Sequence, residues 1–423
     1  MRKLLSWVRR FHQWYWQKVR VPLVIHWTCW RLRPKYRRQE KRVKAAFRNR
    51  PLRVIFPISS LAKWKMQGIF DLMRLSKQYE PIVALTVFDL ESDYSKEKRI
   101  QAMTAVRAYC TAHQMAYVEA YDGETGNFLS FKRFEPDIVW YQDPWNIDRI
   151  QSPEVTADFA LTCYVPYFVQ NYGFLLMDCL QMFHRYIWQH FTLNDEWAKI
   201  FMAEQDRTGG RVGQVVGLGH PMLDQVNDSV FENQQERLII YAPHFSCGIA
   251  ECYSTFLEYG EKILVYAQKH PEVKWAFKPH PTLHRVLIEV LGYDEKKINA
   301  YYDAWGKIGE VCLDGDYVQL FQRSCALVTD CASFLIEYAC TGKPIIRLVS
   351  HAPKFPPHPI SQKLFNTYYN ANSWEEIKEY IDRIIILGDD FRQEERLAQI
   401  QRMNLLKKNA AANIIDYLNG CFS

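Results

Sequence analysis

The sequence predicts an α/β protein with two domains, each a parallel sheet covered by helices on both faces, facing one another across a cleft and preceded by a basic amphipathic helical segment. Three observations carry this reading. Short, continuously apolar runs recur through residues 51–350 and alternate with stretches of helical spacing, the pattern of strands buried on both faces. The chain has 423 residues, more than one hydrophobic core usually holds. A polar stretch over residues 227–236 interrupts the alternation and reads as a linker.

The elements follow in order. Residues 1–50 hold sixteen Lys or Arg against one acidic residue, Glu40, whereas the rest of the chain carries 37 basic and 46 acidic residues. A basic head on an acidic body points to one anionic partner, nucleic acid or an anionic membrane. Set at about 100° per residue, Leu4, Trp7, Val8, Phe11, Trp14, Tyr15 and Val19 share one face, with Arg2, Arg9, Arg10, Gln13, Gln17 and Arg20 opposite. An aromatic face backed by arginines favours the membrane over nucleic acid, and a helix docked on the protein's own surface is the competing reading. Residues 22–30 are apolar but far short of the roughly 20 residues a spanning helix needs. Arg9 and Arg10 interrupt any secretory core, so the segment is expected to lie peripherally on the cytoplasmic face of the membrane. Eleven cysteines without a CxxC pair fit a reduced compartment.

In the first domain, strands are expected at 52–57, 82–88, 116–120, 137–141, 161–164, 191–193 and 212–216, with helix over 96–113 and a helix-rich stretch over 174–188. The second alternation runs from Arg237 to about Val349, followed by a proline-rich loop at 351–359 and helix over 374–388. Residues 391–418 read as one long amphipathic helix that packs back on the first domain. The expected divisions are therefore 1–50, 51–227, 237–390 and 391–423.

Three stretches of the second domain repeat one device. Leu238-Ile239-Ile240-Tyr241-Ala242-Pro243-His244 and Trp275-Ala276-Phe277-Lys278-Pro279-His280-Pro281 each run an apolar strand into a proline and a histidine. Ala326-Leu327-Val328-Thr329-Asp330-Cys331-Ala332-Ser333 runs a strand into small polar residues that open a helix, and Gly342 closes that helix. If these strands share a sheet, His244, Lys278, His280, Thr329 and Ser333 meet at its carboxyl edge, which suits a pyrophosphate.

Lys278 is placed to neutralise charge on a bound pyrophosphate, and His280 and His244 to donate to a phosphoryl oxygen or move a proton. A capped strand end is the plainer reading of the Lys278–His280 pair, and a structural histidine that of His244. Thr329 and Ser333 read as phosphate ligands. Asp330 either caps the helix or orients Lys278 or a histidine, and Glu337, one turn past Ser333, either accepts a ribose hydroxyl or is a surface charge. No metal-ligand set, GxGxxG fingerprint or Walker spacing is present, so no structural metal or cofactor is expected beyond a Mg²⁺ carried on the substrate.

These stretches, with Asp316-Tyr317-Val318-Gln319-Leu320-Phe321, Glu135-Pro136-Asp137-Ile138-Val139-Trp140-Tyr141, Cys163-Tyr164-Val165-Pro166-Tyr167 and Gly217-Leu218-Gly219-His220-Pro221, resemble the CDP-glycerol glycerophosphotransferases of teichoic-acid-type and capsule polymer synthesis. The resemblance covers most of residues 51–350. It implies the glycosyltransferase-B architecture, a CDP-glycerol or similar CDP-activated donor, and transfer of a glycerol-phosphate (polyol-phosphate) unit to a hydroxyl of a lipid-linked or glycan acceptor. Where polymerising members carry a His-Gly-Thr-Pro-Leu-Lys element, this chain has Tyr164-Val165-Pro166-Tyr167. Tyr164 and Tyr167 are then expected to line the acceptor pocket, and His244 and His280 are the nominees for the general base. A nucleotide-sugar glycosyltransferase or epimerase of the same fold is the alternative, and a non-catalytic membrane scaffold is a further one.

Overall fold

The computed structural model describes residues 20–87, 96–145, 147–169, 181–227, 237–248, 253–313, 317–350, 356–405 and 409–423. The aromatic face expected over residues 4–19 lies outside the described residues.

The chain forms two compact units. Unit 1 takes residues 1–168, 176–222 and 409–423, and unit 2 takes 169–175 and 223–408. Unit 1 is built on seven parallel strands: β1 (Leu52–Ile58), β2 (Tyr79–Leu85), β3 (Tyr117–Glu119), β4 (Ile138–Tyr141), β5 (Leu161–Tyr164), β6 (Gln189–Thr192) and β7 (Gln214–Gly217). Their order in the sheet is β3-β2-β1-β4-β5-β6-β7. Unit 2 holds six: β8 (Leu238–Ala242), β9 (Lys274–Phe277), β10 (Gly309–Val311), β11 (Ala326–Thr329), β12 (Ile345–Leu348) and β13 (Tyr369–Ala371), in the order β10-β9-β8-β11-β12-β13. Both sheets are doubly wound, with a switch in strand order beside the first strand of each.

Alternation within β1 divides unit 1's core. Val54, Phe56 and Ile58 face a large cluster with Trp140, Leu161 and Cys163, while Ile55 faces a smaller one with Val139, Tyr141 and Tyr164. β2 starts earlier than its apolar run suggests, because Pro81 is accommodated. β3 pairs only with Val83–Leu85, so the missing N–H of Pro81 faces no ladder there.

The basic head is part of this unit. Residues Val21–Phe47 form one helix whose Ile25, Cys29, Leu32, Tyr36 and Val43 are buried. Tyr36 Oη donates to the carbonyl of Tyr186 at 2.6 Å, and Trp188 Nε1 donates to Glu40 at 2.6 Å. Residues 21–47 of the expected 1–50 segment thus pack on unit 1, whereas the docked-helix alternative concerns residues 2–20, of which 2–19 lie outside the described residues.

The expected long C-terminal helix is two. Gln393–Arg402 belongs to unit 2, and Ala410–Phe422 lays Ile414, Leu418 and Phe422 into the core of unit 1. In unit 2, β8, β9 and β11 deliver Ile239, Tyr241, Trp275, Phe277 and Val328 to one cluster, against Tyr259, Ile263 and Trp305 from two helices. Gly342 ends its helical segment at φ 71°, the left-handed position that favours glycine.

Candidate functional site

The three sequence devices converge. β8 lies between β9 and β11, with Tyr241 opposite both Phe277 and Val328, so the segments leaving their carboxyl ends are neighbours at the switch point of unit 2. The His244 and His280 rings stand 5.3 Å apart at 65°, and Phe245 packs 4.4 Å from the first and 4.5 Å from the second. The backbone holds them there: Lys278 N–H donates to the Tyr241 carbonyl at 2.8 Å, and His280 N–H to the Pro243 carbonyl at 3.0 Å. Both rings are half-buried, and Lys278 is buried.

Their hydrogen bonds fix the ring protons. Ser246 N–H donates to His244 Nδ1 at 3.3 Å. The Ser246 hydroxyl oxygen already accepts from the N–H groups of Tyr253 (2.9 Å) and Ser254 (3.2 Å), so its own proton goes to His244 Nδ1 at 2.8 Å. At His280, Nδ1 accepts from Thr282 N–H at 3.2 Å. An Nδ1 that accepts leaves the proton of a neutral imidazole on Nε2. Burial and the neighbouring His280 push His244 down to about 3, and burial and Lys278 push His280 down to about 4. At neutral pH the pair is thus uncharged, each ring carrying an Nε2–H donor. A neutral ring in this tautomer donates a hydrogen bond through Nε2 and offers no lone pair there for proton abstraction.

Asp330 clamps the site by its backbone neighbours. Its carboxylate accepts from His244 N–H (2.6 Å), Thr255 N–H (2.5 Å) and Thr255 Oγ1 (2.8 Å). It neither caps the following helix, whose first turn has no side-chain cap from Cys331, nor hydrogen-bonds a histidine ring. Burial raises it to about 6 against the pull of these donors.

Several expected ligands are spent elsewhere. Thr329 is fully buried, and its hydroxyl donates to the Ala242 carbonyl at 2.6 Å while accepting from Cys331 N–H at 2.9 Å. It is a strand tie, with no hydroxyl left for phosphate. Glu337 is buried and accepts from Tyr317 Oη at 2.7 Å, so it is neither a surface charge nor open to a ribose. Ser333 stays half-buried on the first turn of helix Ala332–Glu337, its Oγ 3.5 Å from Cys331 Sγ. That helix has only six residues, so its dipole is weak. Tyr164 is also core, packed edge-on against Phe183, His184 and His190. Tyr167 is half-buried beneath Lys63 Nζ, 4.9 Å from its ring centre.

Unit 1 has its own concavity at the same topological position, past β1, β2 and β4. A small, partly open pocket of about 40 Å³ is lined by Pro57, Lys63, Thr86, Phe131, Tyr141 and Trp145, among others. Lys63 pairs with Asp143 at 2.5 Å at this pocket. Sequence reasoning missed these residues, although Gln142-Asp143-Pro144-Trp145, polar and aromatic directly after β4, repeats the signal used in unit 2. Ser246 and Thr255 were missed for a different reason, because only folding shows what their hydroxyls face.

No family model and no curated protein matches the chain. Solved structures do. The UDP-GlcNAc 2-epimerase of Neisseria meningitidis, bound to UDP-GlcNAc, aligns with 12% identity over 87% of this chain and 99% of its own, with a TM-score of 0.54. A candidate UDP-N-acetylglucosamine 2-epimerase from Listeria monocytogenes aligns at 13% identity over 88% and 97%, TM-score 0.51. S. aureus MnaA with UDP aligns at 13% over 87% and 97%, TM-score 0.50. At such identities the likeness is one of fold: two Rossmann-like parallel-sheet units of the glycosyltransferase-B type.

Proposed function

We propose that unit 2 binds the diphosphate of a nucleotide-activated donor, with Nε2–H of His244 and His280 donating to phosphoryl oxygens and Lys278 balancing charge on the leaving nucleotide. The observation that carries this is the pair of neutral, tautomer-fixed donors beside a buried lysine at a sheet switch point. The finer reading, from the sequence resemblance, is a glycerophosphotransferase. An acceptor hydroxyl attacks the β-phosphorus of a CDP-activated glycerol (or other polyol), the new O–P bond forms as the bridging P–O bond breaks, and CMP leaves with the bond electrons. Catalysis then rests on positioning and charge: neither histidine offers an Nε2 lone pair, so the acceptor proton passes to an oxygen of the transferred phosphoryl group as the new bond forms and from there to water.

The pocket of unit 1, with Lys63, Asp143 and Trp145, is the proposed place for a glycan or lipid-linked acceptor, and residues 1–50 are proposed to keep the enzyme at the cytoplasmic face of an anionic membrane. A second reading, nucleotide-sugar epimerase or glycosyltransferase, is favoured by the likeness in fold to structures holding UDP or UDP-GlcNAc.

Incubation with CDP-glycerol, CDP-ribitol, UDP-GlcNAc and UDP-glucose, with and without lipid-linked acceptors, separates the readings by mass spectrometry. CMP release with a mass gain of glycerol phosphate on the acceptor supports the first, and C2 epimerisation or UDP release supports the second. No turnover of any donor, with no nucleotide binding, overturns both in favour of a scaffold.

A further inference from the structure

The N-terminal helix Val21–Phe47 has a second face. Opposite the residues packed into unit 1, Leu23 is 62% exposed, Val24 48%, Trp27 54% and Trp30 66%. At about 100° per residue these four lie within roughly 60° of one line through Trp27, and the same line runs on through Arg31, Arg38 and Lys41. Arg31, Arg33, Arg37, Arg38, Lys41 and Arg42 are all exposed. The helix's one acid, Glu40, is engaged by Trp188. Arg31 lies over the Trp27 ring at 4.8 Å, joining the apolar stretch to the basic one.

Two indoles, a leucine and a valine side by side in water are costly to expose, and monomeric proteins seldom show such a patch unless it meets a partner. The charge beside it selects that partner. An anionic lipid surface offers both things this face asks for: phosphates for the guanidinium groups, and an apolar boundary layer where indole rings settle. Nucleic acid offers phosphates, and rings for the indoles to stack on, but nothing for Leu23 and Val24. Among the described residues no helix is long and apolar enough to cross a membrane, so contact on this helix would be interfacial.

We propose that this face docks the protein on an anionic membrane, with Leu23, Val24, Trp27 and Trp30 entering the interfacial layer and Arg31, Arg37, Arg38 and Lys41 meeting lipid phosphates. This deepens the membrane reading given above but moves the contact from residues 4–19 to a helix anchored in unit 1, and it requires no particular enzymatic activity. Because the opposite face of the helix is core, the docking surface is rigidly coupled to the unit 1 sheet.

The test uses the full chain with vesicles of phosphatidylcholine alone or mixed with phosphatidylglycerol, read by sedimentation. Wild type is expected to bind only the mixed vesicles. The substitutions Leu23→Gln, Trp27→Gln and Trp30→Gln together alter exposed positions only, so the melting temperature should hold while vesicle affinity falls by at least about tenfold. Replacing Arg31, Arg37, Arg38 and Lys41 with Gln should weaken binding and reduce its salt dependence. A second variant lacking residues 1–19 separates the two membrane readings: if that truncation abolishes binding while the triple variant binds within about twofold of wild type, this proposal is overturned and the broader one survives. Failure of wild type to bind mixed vesicles overturns both. Tight binding to a single-stranded oligonucleotide without vesicle binding would assign the face to nucleic acid instead and likewise overturn the proposal.

Discussion

Donor binding should drag a proton onto the histidine pair. In the free protein burial and Lys278 hold His280 at about 4, and burial and His280 hold His244 at about 3, so both are neutral at pH 7. A pyrophosphate at hydrogen-bond distance opposes both influences, and the added proton enters His280 at Nδ1, displacing the 3.2 Å hydrogen bond from Thr282 N–H. An opposite charge within about 4–6 Å typically raises such a group by about 1–3 units, which would bring His280 to about 6 in the complex. The sign follows from linkage: a group with a higher pKa in the complex than in the free protein favours the complex as pH falls toward the complex value, and the gain levels off below the free value. For about 4 free and about 6 bound, affinity at pH 5 should be about tenfold that at pH 7. CDP-glycerol and UDP-GlcNAc are suitable probes because a pyrophosphate diester has no secondary phosphate ionisation in this range. Calorimetric titration in two buffers of different ionisation enthalpy reads the proton count directly. Uptake should approach one proton near pH 5 and be mostly lost in His280→Gln. Heats independent of buffer between pH 7 and 5, with unchanged affinity, would refute both the electrostatic reading and the placement of the diphosphate.

Other substitutions test the remaining assignments. Ser246→Ala strands two backbone N–H groups that its hydroxyl now satisfies and leaves the His244 tautomer held by the Ser246 backbone N–H alone; denaturant unfolding should show a loss of about 2–4 kcal/mol, and the protein that remains folded should turn over more slowly. Thr329→Val keeps the shape but breaks the tie from Ala242 to Cys331, so stability should fall by about 1–3 kcal/mol with donor affinity unchanged, whereas a large loss of affinity would restore Thr329 as a phosphate ligand. Leu418→Ala, in the C-terminal helix and fully buried in unit 1, should destabilise by about 2–5 kcal/mol in the same assay, and a neutral result would show that this helix is dispensable.

Much of the fold is legible in order along the chain. The apolar runs at Leu238–Ala242 and Ala326–Thr329 are strands because nothing polar interrupts them, and Gly342 ends a helix because its backbone needs φ > 0. Such signals are local, each decided by a few adjacent residues. The edge of unit 2 was legible for the same reason: a proline and a histidine after an apolar run mark a strand end wherever that strand lies. The weaker readings fall where local pattern is silent. Residues 391–418 keep a helical period throughout, yet the chain leaves one unit for the other between Arg402 and Ala410.

What the sequence determined by itself was therefore the fold and one clustering of polar groups: two parallel-sheet units, and histidines, a lysine and hydroxyls at neighbouring strand ends. Which of those groups remain available was decided only by tertiary structure. Thr329 is spent because β11 pairs with β8 and brings the Ala242 carbonyl to its hydroxyl, and Asp330 faces N–H groups 75 and 86 residues away in sequence. Glu337 meets Tyr317, and Trp27 stays in water while Cys29, two residues on, is core. A hydrogen-bonding group has a fixed number of partners, and in a folded chain most are supplied by residues far along the sequence. Its chemistry is left open by its identity and closed by its neighbours.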